Sequence, residues 1–163
     1  MSQARLIEID LKRQRLNYFE HGRFMREYWV STARNGPGEI ADSECTPRGL
    51  HAIAQKIGAD APPGAVFVGR KPTGEIWSAE FAASQAPGRD WILTRILWLE
   101  GLEPGFNAGE GRDSRARYIY LHGTPDNVAL GVPGSRGCVR MRNTDLIELF
   151  ARVEEGDHVR IYD

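Results

Sequence analysis

Trp91-Ile92-Leu93-Thr94-Arg95-Ile96-Leu97-Trp98-Leu99 is apolar at every position except Thr94 and Arg95, and therefore on both faces of an extended chain. A strand with one wet face alternates apolar and polar residues, whereas a strand covered on both sides reads as a nearly continuous run. The stretch predicts a central strand. Arg95 inside it needs a partner, because an unpaired buried charge is costly.

Upstream, residues 6–10, 15–19 and 24–31 alternate as an opening β-meander, with Glu20-His21-Gly22-Arg23 as a hairpin turn in which Gly22 takes positive φ. Residues 49–54 and 65–68 predict further strands. Pro72-Thr73-Gly74 predicts a turn, and 75–81 a strand with Ile76 and Ser78 on one face and Trp77 on the other. Downstream, residues 101–117 turn to Gly, Glu, Asp, Asn and Pro, which predicts a long surface loop of the kind that often carries function. Tyr118-Ile119-Tyr120-Leu121 predicts a short strand stopping at His122-Gly123-Thr124-Pro125, and the glycine-rich residues 131–137 deliver Cys138 into a tight turn. Leu146, Ile147, Leu149, Phe150 and Val153 recur at helical spacing, with Asp145 and Glu148 as an N-terminal capping pair and Gly156 as the stop. Residues 158–162 alternate as a last strand. The pattern is mainly β, with one C-terminal helix and few short ones, and no linker divides residues 1–163.

The 163 residues suffice for one core without metal or disulfide staples, and the composition, 41% apolar and 26% charged, is that of a soluble globular domain. Twenty-one basic and 22 acidic side chains leave a net charge of −1, which gives no field to gather nucleic acid or an anionic membrane. A monomer acting on a locally chosen partner is expected. Eighteen of the basic residues are Arg, the better group for a two-point grip on a carboxylate. The N-terminal stretch, Met1-Ser2-Gln3-Ala4-Arg5-Leu6-Ile7-Glu8-Ile9-Asp10, lacks the apolar core of a secretory signal. With Met1 as the native start, a cytoplasmic protein is expected, or a periplasmic one if a leader has been removed. Cys45 and Cys138 lie far apart with no C-x-x-C spacing, so both read as free thiols.

Cysteine is nucleophilic as thiolate, and nearby cations lower its pKa. Arg136 and Arg140 flank Cys138 at two residues on either side, and the predicted helix begins just after it. Gly137 leaves the backbone before the sulfur bare, so that N–H groups can approach a developing oxyanion. Of the four histidines, His122 is best placed as a base, at a strand end with Gly123 beside it. His51 reads as a satisfied structural histidine, His21 and His158 as surface residues, and Cys45 as a packing thiol. Zinc held by Cys138, His122, Cys45 and His51 has the right atoms but no paired local spacing, so no metal or other cofactor is expected.

His122-Gly123-Thr124 followed by Ser135-Arg136-Gly137-Cys138-Val139-Arg140-Met141 resembles the active-site signature of the L,D-transpeptidase catalytic domain, the YkuD family. The likeness extends to Thr46-Pro47-Arg48-Gly49, similar to the family's Thr-Pro-x-Gly turn, and to the helix and strand that follow the cysteine. It implies a β-sandwich with a cysteine at the edge of a cleft. It implies further that Cys138 is the nucleophile and His122 the general base, that Ser135 and Gly137 shape the turn, and that backbone N–H groups by Cys138 form the oxyanion hole. Two positions depart from the family pattern: Arg136 stands where histidine is common, and Arg140 where asparagine is common.

The family cleaves peptidoglycan stem tetrapeptides between the third residue's L-centre and the terminal D-Ala. By this resemblance the substrate is a stem tetrapeptide or muropeptide, and Arg140, Arg136 or Arg95, in that order, binds the carboxylate at the leaving end, with Ser135 and Gly123 also in the binding set. Without an export signal, water is the expected acceptor. That makes an L,D-carboxypeptidase of peptidoglycan recycling, with a cross-linking L,D-transpeptidase and a non-catalytic wall-binding module as rivals. A papain-like peptidase does not fit, since its cysteine lies early, on a long helix.

Overall fold

The structure, a computed structural model, describes residues 4–163, so the first three residues of the N-terminal stretch lie outside it. In chain order the elements are β1 (Arg5–Asp10), β2 (Arg15–Glu20), β3 (Arg23–Ser31), β4 (Gly49–Ile57), β5 (Ala65–Val68), β6 (Lys71–Ile76), α1 (Ala79–Ala83), β7 (Ile92–Gly101), β8 (Tyr120–Gly123), β9 (Val139–Met141), α2 (Asn143–Arg152) and β10 (His158–Tyr162). The hydrogen-bonded order is β4-β10-β1-β2-β3-β9-β8-β7-β5-β6, and β4 also pairs with β7. The strands from β4 round to β7 thus form a closed, barrel-like ring, from which the β5–β6 hairpin extends. This is one sheet closed on itself, where two stacked sheets are expected from the sequence. The mainly β class and the C-terminal helix stand.

The ring closes because its strands bury the same alternate positions. In β1, Ile7 and Ile9 are fully buried, and Leu16 and Tyr18 of β2 continue that face. Leu97, Leu99, Leu121, Val139 and Met141 complete it from the other side, and Leu146, Leu149 and Phe150 of α2 pack against the same core. Each such aliphatic side chain contributes about 1.5–3 kcal/mol by leaving water.

β7 is central as predicted, pairing with β4, β5 and β8. Its Thr94, at φ 77°, sits where the register with β8 shifts; the hydroxyl donates to Asn143 Oδ1 at 2.8 Å and accepts from the Gly64 amide at 2.9 Å. Arg95 finds neutral partners. Its Nη1 donates to the carbonyls of Ala61 and Thr94, both at 2.7 Å, and its guanidinium lies 5.6 Å from the Phe150 ring centre.

Several local expectations are corrected. The hairpin turn after β5 falls on Gly69 and Arg70, so Pro72-Thr73-Gly74 lies within β6. Ser78 does not continue a strand: its hydroxyl accepts the Phe81 amide and caps the short helix α1. Asp145 and Glu148 form no capping pair. Arg142 occupies the N-cap of α2 without a side-chain bond, and Glu148 turns away to the Tyr28 hydroxyl at 2.6 Å. The helix ends at Arg152, and Gly156 shapes the following turn instead. β8 starts at Tyr120 and includes His122.

Residues 101–117 form a loop, but an anchored one. Asn107 Nδ2 donates to the carbonyls of Arg48 and Leu50, its Oδ1 accepts the Glu103 amide, and both Asn107 and Ser114 are fully buried. His51 holds Ser114 from β4: Nδ1 donates to the Gly49 carbonyl at 3.1 Å, and Nε2 meets Ser114 Oγ at 2.8 Å.

Candidate active site

β8 and β9 run parallel with His122 opposite Arg140 and Leu121 opposite Val139. That register sets Cys138, one residue before β9, beside Tyr120, with His122 one pleat further along on the same face. Cys138 and His122 line a single cavity of about 290 Å³, together with Tyr118, Tyr120, Ser135 and Arg136. The sequence-predicted nucleophile and base are therefore brought together.

The turn that presents the sulfur is held from three directions. Gly137 has φ 133°, in a region that favours glycine, and a Cβ there would lie 3.2 Å from the Cys45 carbonyl oxygen. Its amide donates to Ser135 Oγ at 3.2 Å, and the Ser135 hydroxyl donates in turn to the Cys138 carbonyl. The Gly137 amide is thereby engaged in shaping the turn. From the Thr-Pro turn, Thr46 Oγ1 donates to the Gly137 carbonyl at 2.9 Å and accepts the Ala33 amide at 2.9 Å. Behind it, Arg117 donates to the Cys45 carbonyl at 2.7 Å.

His122 is 1% exposed. Its Nδ1 lies 2.7 Å from the Gly123 carbonyl oxygen, which can only accept, so Nδ1 carries the proton and Nε2 is the basic atom. Burial pushes the imidazole pKa down, with the Gly123 carbonyl and Asp90 opposing and Arg140 assisting. The ring is thus neutral near pH 7, as a general base requires.

Cys138 departs from expectation. Burial pushes its pKa up to about 12; the Tyr120 amide, Arg140 and Arg117 pull it down, and Asp90 pushes it further up. The flanking arginines do not prevail over burial, and one of them, Arg140, faces Asp90 at 3.3 Å. The resting sulfur is a thiol that donates to the Tyr118 carbonyl at 3.3 Å and accepts from the Tyr120 amide at 3.4 Å. Proton transfer to a neutral imidazole, on substrate binding, is the chemistry this arrangement favours.

The other predicted site residues separate. Arg136 lies on the cavity wall with Nη2 donating to the Gly88 carbonyl at 3.3 Å. Arg140 is held by Asp90 and the Gly134 carbonyl, its buried Nε without a partner. Arg95 lies away from the cavity, because its guanidinium is drawn onto the carbonyls of Ala61 and Thr94. Gly123 is buried where a side chain would collide with Asn143 and the Leu93 carbonyl, so its part is to admit close packing behind His122. His51 is structural, and Cys45 is a half-buried free thiol. Among the described residues no group of three His, Cys, Asp or Glu is placed to hold a metal ion, and no helix is long and apolar enough to cross a membrane.

Four wall residues were not singled out from the sequence: Arg70, Asp90, Arg117 and Ile92. Arg117 adjoins the Tyr118 strand in sequence, which is a usable signal. Arg70 and Asp90 arrive from a hairpin turn and a loop, and no local pattern points to them. The cavity shares Arg117, Tyr118 and Arg136 with a neighbour of about 630 Å³, and Asp90, Ser135 and Arg136 with another of about 350 Å³. The cavity of Cys138 therefore adjoins two others.

The L,D-transpeptidase catalytic domain model, YkuD, matches residues 4–161. Over 47 residues the chain is 43% identical to the probable L,D-transpeptidase ErfK/SrfK of Salmonella typhimurium and, equally, to the probable L,D-transpeptidase YbiS of Escherichia coli; each match spans 29% of this chain and 15% of the relative. Among solved structures, an L,D-transpeptidase from Mycobacterium smegmatis superposes with a TM-score of 0.59 at 14% identity, over 99% of this chain and 60% of that one. One from Xylanimonas cellulosilytica does so at 0.55 and 20% identity, over 99% and 62%. The fold is shared with these structures, and the chain, which spans less than two thirds of the length of these relatives, belongs to the YkuD family of L,D-transpeptidase catalytic domains.

Proposed function

We propose that the protein transfers the acyl group at the L–D bond of a peptidoglycan tetrapeptide stem, with water as acceptor: an L,D-carboxypeptidase that releases the terminal D-Ala. The observation that carries this reading is the shared cavity of Cys138 and His122, with Nε2 as the ring's basic atom. In the first step Nε2 takes the thiol proton as the sulfur bonds to the L-centre carbonyl carbon. Collapse of the tetrahedral adduct breaks the C–N bond, and the departing amine takes the proton back from His122, leaving a thioester on Cys138. Water then attacks with His122 as base, the C–S bond breaks, and the thiol regains its proton. Cys138 is half-buried, which leaves a thioester there within reach of water.

A second reading, L,D-transpeptidation, is favoured by the two cavities that adjoin that of Cys138, which offer room for an amine acceptor beside the donor. The test is incubation with a soluble tetrapeptide muropeptide, alone and with an amine acceptor, followed by mass. Free tripeptide plus D-Ala supports hydrolysis. Cross-linked dimers without free tripeptide defeat it, and no turnover of either kind defeats both readings.

A further inference from the structure

The hairpin between β5 and β6 turns on Gly69 and Arg70, with Val68 paired to Lys71 across it. Both turn residues have positive φ, 56° and 65°. Two-residue turns of this kind favour glycine, asparagine or aspartate at their centre, so an arginine is not what the turn itself asks for. The side chain leaves the turn and lines the catalytic cavity. Its guanidinium carbon lies 4.7 Å from the Tyr118 ring centre and 5.1 Å from that of Trp98, and Nη1 donates to the Tyr120 hydroxyl at 3.2 Å.

All these partners are neutral, and among the described residues Arg70 makes no ion pair. Of the other arginines at or near the cavity, Arg140 faces Asp90 and Arg89 faces Glu75, while Arg117 and Arg136, also without an ion pair among the described residues, donate to the carbonyls of Cys45 and Gly88. Tyr120 also links Arg70 to the reacting atom, since its amide touches Cys138 Sγ at 3.4 Å while its hydroxyl holds the guanidinium. A planar guanidinium without an ion pair, on the wall of the cavity that holds Cys138, suits the carboxylate of the residue beyond the scissile carbonyl.

We propose that Arg70 is a specificity-determining residue that receives the terminal carboxylate of the departing D-residue, so that the enzyme reads a free C-terminus on the stem peptide. This rests on the acyl-transfer reading above and replaces Arg140 as the leading partner for that carboxylate.

The test compares a stem tetrapeptide with the same peptide ending in a carboxamide. The parental enzyme is expected to prefer the free acid in kcat/KM by about 10- to 100-fold, the worth of one charge-assisted contact. Arg70→Gly, whose glycine suits the positive φ of the turn, is expected to lose that factor on the acid, so that its acid-to-amide ratio falls to about 1, with thermal melting read alongside to establish that the variant is folded. Arg70→Lys should restore part of the preference. An acid-to-amide ratio retained in Arg70→Gly, or a parental enzyme indifferent to the terminus, overturns the proposal while leaving acyl transfer intact. A parental enzyme inert toward both peptides overturns the functional reading itself, and this one with it.

Discussion

The Thr46 hydroxyl donates to the carbonyl of Gly137 at 2.9 Å across 91 residues of chain, while accepting the Ala33 amide. One side chain thereby joins the end of β3, the approach to β4 and the nucleophile turn. Thr46 is fully buried, so water does not replace either bond. Thr46→Val keeps the shape and removes both, leaving a buried carbonyl and a buried amide unpaired. A loss of about 2–4 kcal/mol is expected in denaturant unfolding, with a lower kcat, because the sulfur loses its fixed position.

The pKa of Cys138, pushed up to about 12 by burial, sets its reactivity in the free enzyme. Alkylation of Cys138 by iodoacetamide should climb with pH through at least pH 10, without the plateau near pH 6–7 that a preformed thiolate would give. Mass spectrometry of Cys138→Ala, in which the adduct at this position must vanish, separates it from any reaction at Cys45. A plateau below pH 8 would mean that the thiolate is already present at rest.

His122→Gln retains a hydrogen-bonding side chain at the same place but no base. A fall in kcat of about 10²- to 10⁴-fold is expected, measured as D-Ala released from tetrapeptide. Because burial pushes the His122 pKa down, the acid limb of kcat/KM in the parental enzyme should lie below pH 6.5. A variant with parental kcat would remove His122 from the chemistry.

His51 gives the fold its own pH response. Both ring nitrogens are engaged with one proton between them, and burial holds the pKa down to about 4 from 6.5. As pH falls through 6.5 the unfolded chain takes up a proton that the folded chain refuses until about pH 4. Stability therefore drops across that window, by up to about 3 kcal/mol at ~1.4 kcal/mol per pH unit. Urea midpoints at pH 7 and pH 4.5 check this, and His51→Gln should reduce the difference, the part that remains including the buried His122. An unchanged slope in that variant would assign the response to other groups.

Much of this was readable in the chain because it was written locally. The both-face apolar run around Leu93 and Leu97, the alternation of Ile7 and Ile9, and the Gly-Cys turn after a His-Gly strand each encode their own geometry within a few residues. What was not readable depends on distant partners. The ring closes through β4 pairing with β7, a long-range pairing that no strand pattern announces. The thiol's high pKa comes from burial and from Asp90 facing Arg140, and sequence neighbours cannot report either. Glu148 looked like a cap by spacing, yet the Tyr28 hydroxyl offered it a better-placed donor. Arg70 was missed because a two-residue turn hides where its side chain goes.

Among the described residues one strand, β6, is bonded on a single side, to β5 alone. An open backbone edge is a template on which a second molecule can add its own strand, and proteins blunt such edges with charge and proline. β6 carries both, in Lys71 and Pro72, followed by Gly74 at φ 89°. The residues that unsettled its reading as a strand are thus the ones that guard the molecule against edge-to-edge self-association at high concentration.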